Sequence, residues 1–161
     1  MTSLRAGVIG VGHLGQHHAR HYATLPGVTL AGVYDASPDR AKLIAERHGV
    51  QAWTHLAEVL KQVLAQKAPM VEVTGGEPLL QPAVYPLMES FLDAGLIVLL
   101  ETSGAIDVRL VPKEVHKIVD LKTPSSKEHD RNDLRNFDSM NERDELKFVI
   151  GSREDYDFSV E

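Results

Sequence analysis

The chain has 161 residues and a mass of 17.8 kDa, enough for one domain with its own core and too little for two large ones. Its 17 Lys+Arg stand against 23 Asp+Glu, a net charge of -6 that argues against nucleic acid as the main partner. With no cysteine, the composition excludes a disulfide framework, thiolate-held zinc, an iron–sulfur cluster and a thiol nucleophile.

The longest apolar run, residues 96–100, is far too short to span a bilayer, so no membrane is expected. No basic segment precedes an apolar one at the start, so nothing reads as a signal peptide. The expected location is cytoplasmic, in an expression host if the chain is engineered. Charge is unevenly spread. Residues 1–68 carry 7 Lys+Arg and 4 Asp+Glu, whereas residues 69–161 carry 10 and 19. Such a step marks either ordinary variation or a join.

Residues 5–10 read as a buried parallel strand, and 14–25 as a helix stopped by Pro26-Gly27. A second strand over 28–34 ends at Asp35. Ser37 then caps a helix over 38–48, with Pro38 at its first position and Gly49 at its end. Residues 50–53 form a short strand. Thr54 opens a helix over 55–66, with Leu56, Val59, Leu60 and Val63 at helical spacing. Strand 70–74, a Gly75-Gly76-Glu77-Pro78 turn, helix 82–94 and strand 96–101 follow. Strands at 117–121 and 146–150 flank a long polar stretch, 122–145, read as a loop or one short exposed helix anchored by Leu134, Phe137 and Met140. The acidic tail after Gly151 is left without a helix. This alternation predicts an α/β, Rossmann-like, mostly parallel open sheet flanked by helices, with strand order beginning 3-2-1-4-5.

Two constellations carry chemistry. The first, Gly10-Val11-Gly12-His13-Leu14-Gly15, is a G-x-G-x-x-G turn between a strand and a helix. Gly10 allows the tight turn, Gly12 lets the backbone approach a pyrophosphate, and Gly15 lets the helix pack on the sheet. The phosphates would sit on the helix N-terminus. Asp35 ends the second strand, placed to bond the adenosine ribose. A carboxylate there favours NAD over NADP, and no arginine follows immediately to take a 2′-phosphate. Gly10, Gly12, His13, Leu14, Gly15 and Asp35 are therefore candidate cofactor-binding residues. His17 and His21 read as a solvated helix face, Trp53 as a core residue, and no metal site is assigned.

Residues 5–60 resemble the start of the nucleotide-binding domain of the glucose–fructose oxidoreductase/inositol dehydrogenase family. Gly10–Gly15, His18-Ala19-Arg20 and the run from Leu30 to Asp35 carry the resemblance. It implies a Rossmann domain followed by a substrate domain, and a lysine in a Glu-Lys-Pro motif after the fifth strand. Here that strand ends Glu101-Thr102-Ser103, without the lysine or proline.

The second constellation is Thr74-Gly75-Gly76-Glu77-Pro78. With Leu99–Gly104, Val119–Pro124 and Leu146–Ile150, it makes the chain from about Val71 onward resemble 7-carboxy-7-deazaguanine synthase, a radical S-adenosylmethionine enzyme. The resemblance implies that Thr74, Gly75, Gly76 and Glu77 face that cofactor, with Thr102, Ser103 and residues 120–126 nearby. Radical chemistry of this kind needs cluster cysteines, and there are none.

Two partial resemblances meeting near residues 67–71, where charge also changes, lead to a chimera as the expected identity. The expectation is one α/β domain over 1–161, with a Rossmann-type half at 1–68 and a barrel-derived half at 69–161. Its function is an engineered or fused scaffold without turnover, no catalytic residues and weak NAD binding at the glycine loop, as a monomer or homodimer. The alternatives are an NAD-dependent oxidoreductase fragment and an S-adenosylmethionine-binding remnant.

Overall fold

The computed structural model describes residues 4–13, 15–65 and 69–160. Among them, seven strands form: β1 (Leu4–Ile9), β2 (Val28–Tyr34), β3 (Gln51–Trp53), β4 (Met70–Val73), β5 (Ile97–Thr102), β6 (His116–Leu121) and β7 (Glu145–Phe148). The helices are α1 (Gly15–Thr24), α2 (Pro38–His48), α3 (Leu56–Ala65), α4 (Val84–Asp93) and α5 (Arg153–Val160). Every ladder is parallel, as expected when each crossover carries a helix or a long connection.

Local signals set the boundaries. The Ser37 side chain accepts from Arg40 N–H at 3.4 Å, and Pro38 starts α2. Gly49, at φ 65°, ends it by donating to the Ala45 and Glu46 carbonyls. At α3 the Glu58 carboxylate accepts from Thr54 N–H at 3.2 Å.

Neighbouring residues on each strand point to opposite faces. Val8 and Val33 pack with Ala19 of α1 and Ile44 and Ala45 of α2. Ile9 and Trp53 join Val59 of α3, Leu87, Met88 and Phe91 of α4, and Val98 and Leu100 of β5. The result is the α/β sandwich that the alternation predicts.

The strands form two ladders, β3-β2-β1 and β4-β5-β6-β7. The expected order is met only in part, because β1 and β4 lie side by side without a shared ladder. They touch at their C-terminal ends, where a Cβ on Gly10 would stand 2.6 Å from the Thr74 carbonyl oxygen. Below, a cleft of about 260 Å³ separates them, lined by Ile9, His18, Tyr22, Val71 and Glu72. Burial pushes the Glu72 carboxyl up from its ordinary pKa, and Glu101 adds to the shift.

Trp53 holds the first ladder together. It is 4% exposed, and its indole lies across Gly32 of β2 and Gly7 of β1, which are register partners. A Cβ on Gly7 would meet the ring at 2.7 and 2.9 Å. Gly7→Ala should therefore lower unfolding free energy in urea by about 1–3 kcal/mol, the usual cost of overpacking. The loss should shrink in a Trp53→Leu background; an equal loss in both backgrounds would show that the ring is not what Gly7 accommodates.

The last third departs from expectation. Residues 122–145 are a long connection and not one short exposed helix. They make three 3-10 turns: Pro124–Ser126, His129–Arg131 and Leu134–Ser139. The apolar anchors expected there are exposed, Leu134 at 58% and Phe137 at 42%, while Asn136 is buried. Asn136 accepts from Val108 N–H at 3.0 Å and donates to the Gly104 and Ile106 carbonyls. The acidic tail forms α5 because Ser152 Oγ accepts from Asp155 N–H, and the Asp155 carboxylate accepts from Ser125 and Gly151 N–H at 2.8 Å each. Although burial opposes ionisation of Asp155, those hydrogen bonds hold its pKa well below the carboxylate range. On β6, Lys117 points into the core, its Nζ 2.8 Å from Asp144 just before β7.

Candidate functional site

The glycine loop leaves β1 at Gly10, whose φ of 87° favours glycine and whose N–H donates to the Tyr34 carbonyl at 2.8 Å. That bond sets the loop against the end of β2. Gly15 begins α1, and a Cβ there would fall 1.7 Å from the Gly10 carbonyl oxygen, so only glycine lets loop and helix meet. Gly12 differs. A Cβ there would meet only Gly76 N, at 3.7 Å, and would otherwise stand in open space. Leu14 lies outside the described residues.

Asp35 is buried at the end of β2. Its Oδ2 accepts from Val11 N–H at 2.9 Å, and its Oδ1 accepts from Ser37 N–H at 2.9 Å. The carboxylate thus ties the glycine loop to the start of α2. Arg40, one turn into α2, reaches the same Oδ1 at 3.4 Å. No arginine follows Asp35 directly in the sequence, and Arg40 stands five residues on. The helical spacing from the Ser37 cap was the signal that could have found Arg40.

The second glycine turn closes on the first. Gly75 Cα lies 3.3 Å from the position of a Gly10 Cβ, and Gly76 faces Gly12. Together they border a cavity of about 650 Å³ that also touches His13, Thr74, Arg40 and Leu80. The two constellations, read separately in the sequence, form one site at the C-terminal ends of β1, β2 and β4.

Glu77 borders the cavity, and its carboxylate is engaged by neighbouring groups. It accepts from Ser103 N–H at 2.8 Å, Ser103 Oγ at 2.5 Å, Thr102 Oγ1 at 2.9 Å and Leu79 N–H at 3.1 Å. Those bonds pin the turn after β4 to the end of β5. Thr74 is buried and donates to Glu101 at 3.2 Å, and Glu101 in turn meets Lys147 Nζ at 3.4 Å.

The site fits a dinucleotide. Two adjoining glycine turns leave backbone bare over an open cavity, the space over Gly12 is one that a Cβ would fill, and Gln16 in the first turn of α1 also borders it. Among the described residues, no group of three His, Cys, Asp or Glu side chains is placed to hold a metal, and no helix is long and apolar enough to cross a membrane.

Comparison with solved oxidoreductase structures agrees on the fold. The chain is 41% identical over 63 residues to UDP-N-acetylglucosamine 3-dehydrogenase of Acidithiobacillus ferrooxidans, covering 39% of this chain and 20% of that protein. A crystal structure of that enzyme superposes with a TM-score of 0.50 at 30% identity, covering 68% of this chain and 33% of its own. A myo-inositol dehydrogenase from Corynebacterium glutamicum gives 0.53 at 22% identity, covering 71% and 35%. The chain is also 47% identical over 93 residues to 7-carboxy-7-deazaguanine synthase of Koribacter versatilis, covering 57% of this chain and 41% of that protein. It spans less than half the length of each of these relatives.

The family described as "Oxidoreductase family, NAD-binding Rossmann fold" matches residues 4–102. This match runs unbroken through residues 67–71, where a splice was expected, and continues across β4 and β5. It overturns the reading of the chain as an engineered chimera of two families, with its barrel-derived half. The expectation of a scaffold that is no enzyme falls with it, since the match is to oxidoreductases. A radical S-adenosylmethionine remnant is likewise unsupported, because the chain has no cysteine to hold a cluster. With more than half its length matched, the chain belongs to the Gfo/Idh/MocA oxidoreductase family and has that family's NAD-binding Rossmann fold.

Proposed function

We propose that the chain is the dinucleotide-binding domain of an oxidoreductase that oxidises or reduces a ring hydroxyl of a sugar or cyclitol. The substrate class is suggested by the names of its relatives, UDP-N-acetylglucosamine 3-dehydrogenase and myo-inositol dehydrogenase. When bound, the nicotinamide ring accepts or returns the hydride.

This chain's own residues supply binding and orientation. Gly10 and Gly12 bring bare backbone to the pyrophosphate, and the first turn of α1 turns its N–H donors and positive dipole end toward it. Asp35 holds the loop in register through Val11 N–H. Thr74, Gly75 and Gly76 form the opposite wall, and Glu77 fixes that wall to β5. His13, within the same motif, also borders the cavity.

The observation that carries this reading is Gly12, whose α-carbon opens onto the cavity with only Gly76 N near a would-be Cβ. Gly12→Ala should leave the melting temperature within a few degrees of wild type. It should weaken NADH binding by about 100-fold, or about 2.7 kcal/mol, as measured by calorimetry. Failure of the wild-type chain to bind NADH at millimolar concentration would sink the proposal, and so would unchanged affinity in Gly12→Ala.

A further inference from the structure

We infer that the cleft between β1 and β4 is a second binding site, which takes a small organic cation: an ammonium head held at Glu72 on a short apolar body packed beside Trp53. The cleft lies below the contact of Gly10 with Thr74 and Gly75, and among the described residues only Ile9 and Thr74 border both it and the dinucleotide cavity.

The cleft exists because the sheet is interrupted. The two strands lie side by side but share no ladder, so their facing edges keep backbone N–H and C=O groups without strand partners. A volume of about 260 Å³ lies between them. That is the share of about nine water molecules in the liquid, so a ligand of about that many non-hydrogen atoms fits. Arg5 and Met70, near the N-terminal ends of the two strands, border the cleft and are exposed, which gives a ligand a way in.

The lining divides by chemistry. Trp53, Val59, Val63 and Val71 supply an apolar wall, whereas His18 and Tyr22 of α1 and Glu72 of β4 supply polar groups. Glu72 is the one acidic residue bordering the cleft among the described residues, and it is partly buried. No hydrogen bond or ion pair engages its carboxylate among those residues. Its neighbour Glu101 is committed to Thr74 and Lys147. Burial and Glu101 both disfavour the charge on Glu72, while His18 and Lys147 favour it without touching it. A partly buried carboxylate without a partner gains strongly from a cation brought into contact with it. Solvent screens the exposed Arg5 guanidinium more than it screens Glu72. On the apolar side, Trp53 Nε1 is buried without an acceptor, although buried donors are ordinarily satisfied. An unpaired acid and an unmet donor thus border one cleft that the dinucleotide does not use.

Trp53 is the only tryptophan in the chain, so its indole N–H resonance reports on the cleft directly. The full chain, labelled with nitrogen-15, is titrated at about pH 8 with phenethylamine, and with phenylethanol and phenylacetate as neutral and anionic comparisons. The amine should shift that resonance saturably, with a Kd of about 1 mM or below. The alcohol should bind at least about tenfold more weakly, and phenylacetate should leave the resonance unmoved. Glu72→Gln should weaken the amine about tenfold or more, with a melting temperature at or above that of wild type, because it removes a charge that burial disfavours. Saturating NADH should not displace the amine, and Gly12→Ala should bind it as wild type does, so this result stands or falls apart from the dinucleotide reading. Equal binding of amine and alcohol overturns the inference, as does unchanged affinity in Glu72→Gln or displacement by NADH. The absence of any saturable shift overturns it too, and is the result expected if the cleft holds water alone.

Discussion

Gly15→Ala is expected to abolish measurable dinucleotide binding and to destabilise the fold by about 3 kcal/mol or more. The added methyl would sit 1.7 Å from the Gly10 carbonyl oxygen and 2.8 Å from its carbon, and both are backbone atoms that cannot rotate away. Overpacking against yielding side chains costs about 1–3 kcal/mol, and a backbone obstacle lies at or above the top of that range. The better helix propensity of alanine returns at most about 1 kcal/mol. Relief requires the loop and the start of α1 to separate, which moves the N–H groups that would face the phosphates. Thermal melting and NADH calorimetry should show both losses in Gly15→Ala, but only the binding loss in Gly12→Ala. A Gly15→Ala protein with wild-type melting and affinity would disprove the close approach of loop and helix.

Asp144→Ala should cost about 3–5 kcal/mol in denaturant unfolding, the range for breaking a buried ion pair from one side. The Lys117 and Asp144 side chains are 2% and 0% exposed. Without the carboxylate, the Lys117 ammonium keeps only the Val115 carbonyl at 3.4 Å, and the N–H groups of Lys117 and Asn141 lose their acceptor. The double replacement Lys117→Met with Asp144→Leu should recover much of the loss, since no buried charge then lacks a partner. The pair also predicts acid sensitivity. Burial alone would raise the Asp144 pKa, but the Lys117 ammonium and the two backbone donors outweigh it and hold the group below the usual range. A depressed folded pKa gives stability that is complete above the unfolded value of about 3.9 and lost as pH falls through the folded one. Asp144→Asn should flatten the fall in stability below about pH 4; an unchanged acid limb would place the effect elsewhere.

Much of the first two-thirds of the chain was legible because its signals are local. The Ser37 cap, Pro38, Gly49 and the apolar spacing of α3 and α4 each act within a turn or two, and the structure places those helices within a residue or two of expectation. The glycine loop was legible for the same reason, since backbone that must turn tightly and pack closely leaves few residues to choose from. Residues 122–145 were not legible. Their order comes from Asn132 exchanging hydrogen bonds with Lys122 and from Asn136 clamping three backbone groups about 30 positions earlier. Hydrophobic periodicity carries no signal for a buried asparagine.

Length, charge and the missing cysteines bounded this protein at the outset, and the strand–glycine turn–helix pattern with Asp35 determined its fold class and cofactor family. Those properties follow from composition and short-range sterics, which a linear sequence records. Three things belonged to the tertiary structure alone. Gly75 and Gly76 meet Gly10 and Gly12 across one cavity, the Glu77 carboxylate ties its turn to Ser103 at the end of β5, and Arg40 reaches Asp35. Each depends on which strand ends lie side by side and which way a helix faces. Contacts across the sheet set those relations, and spacing along the chain does not encode them.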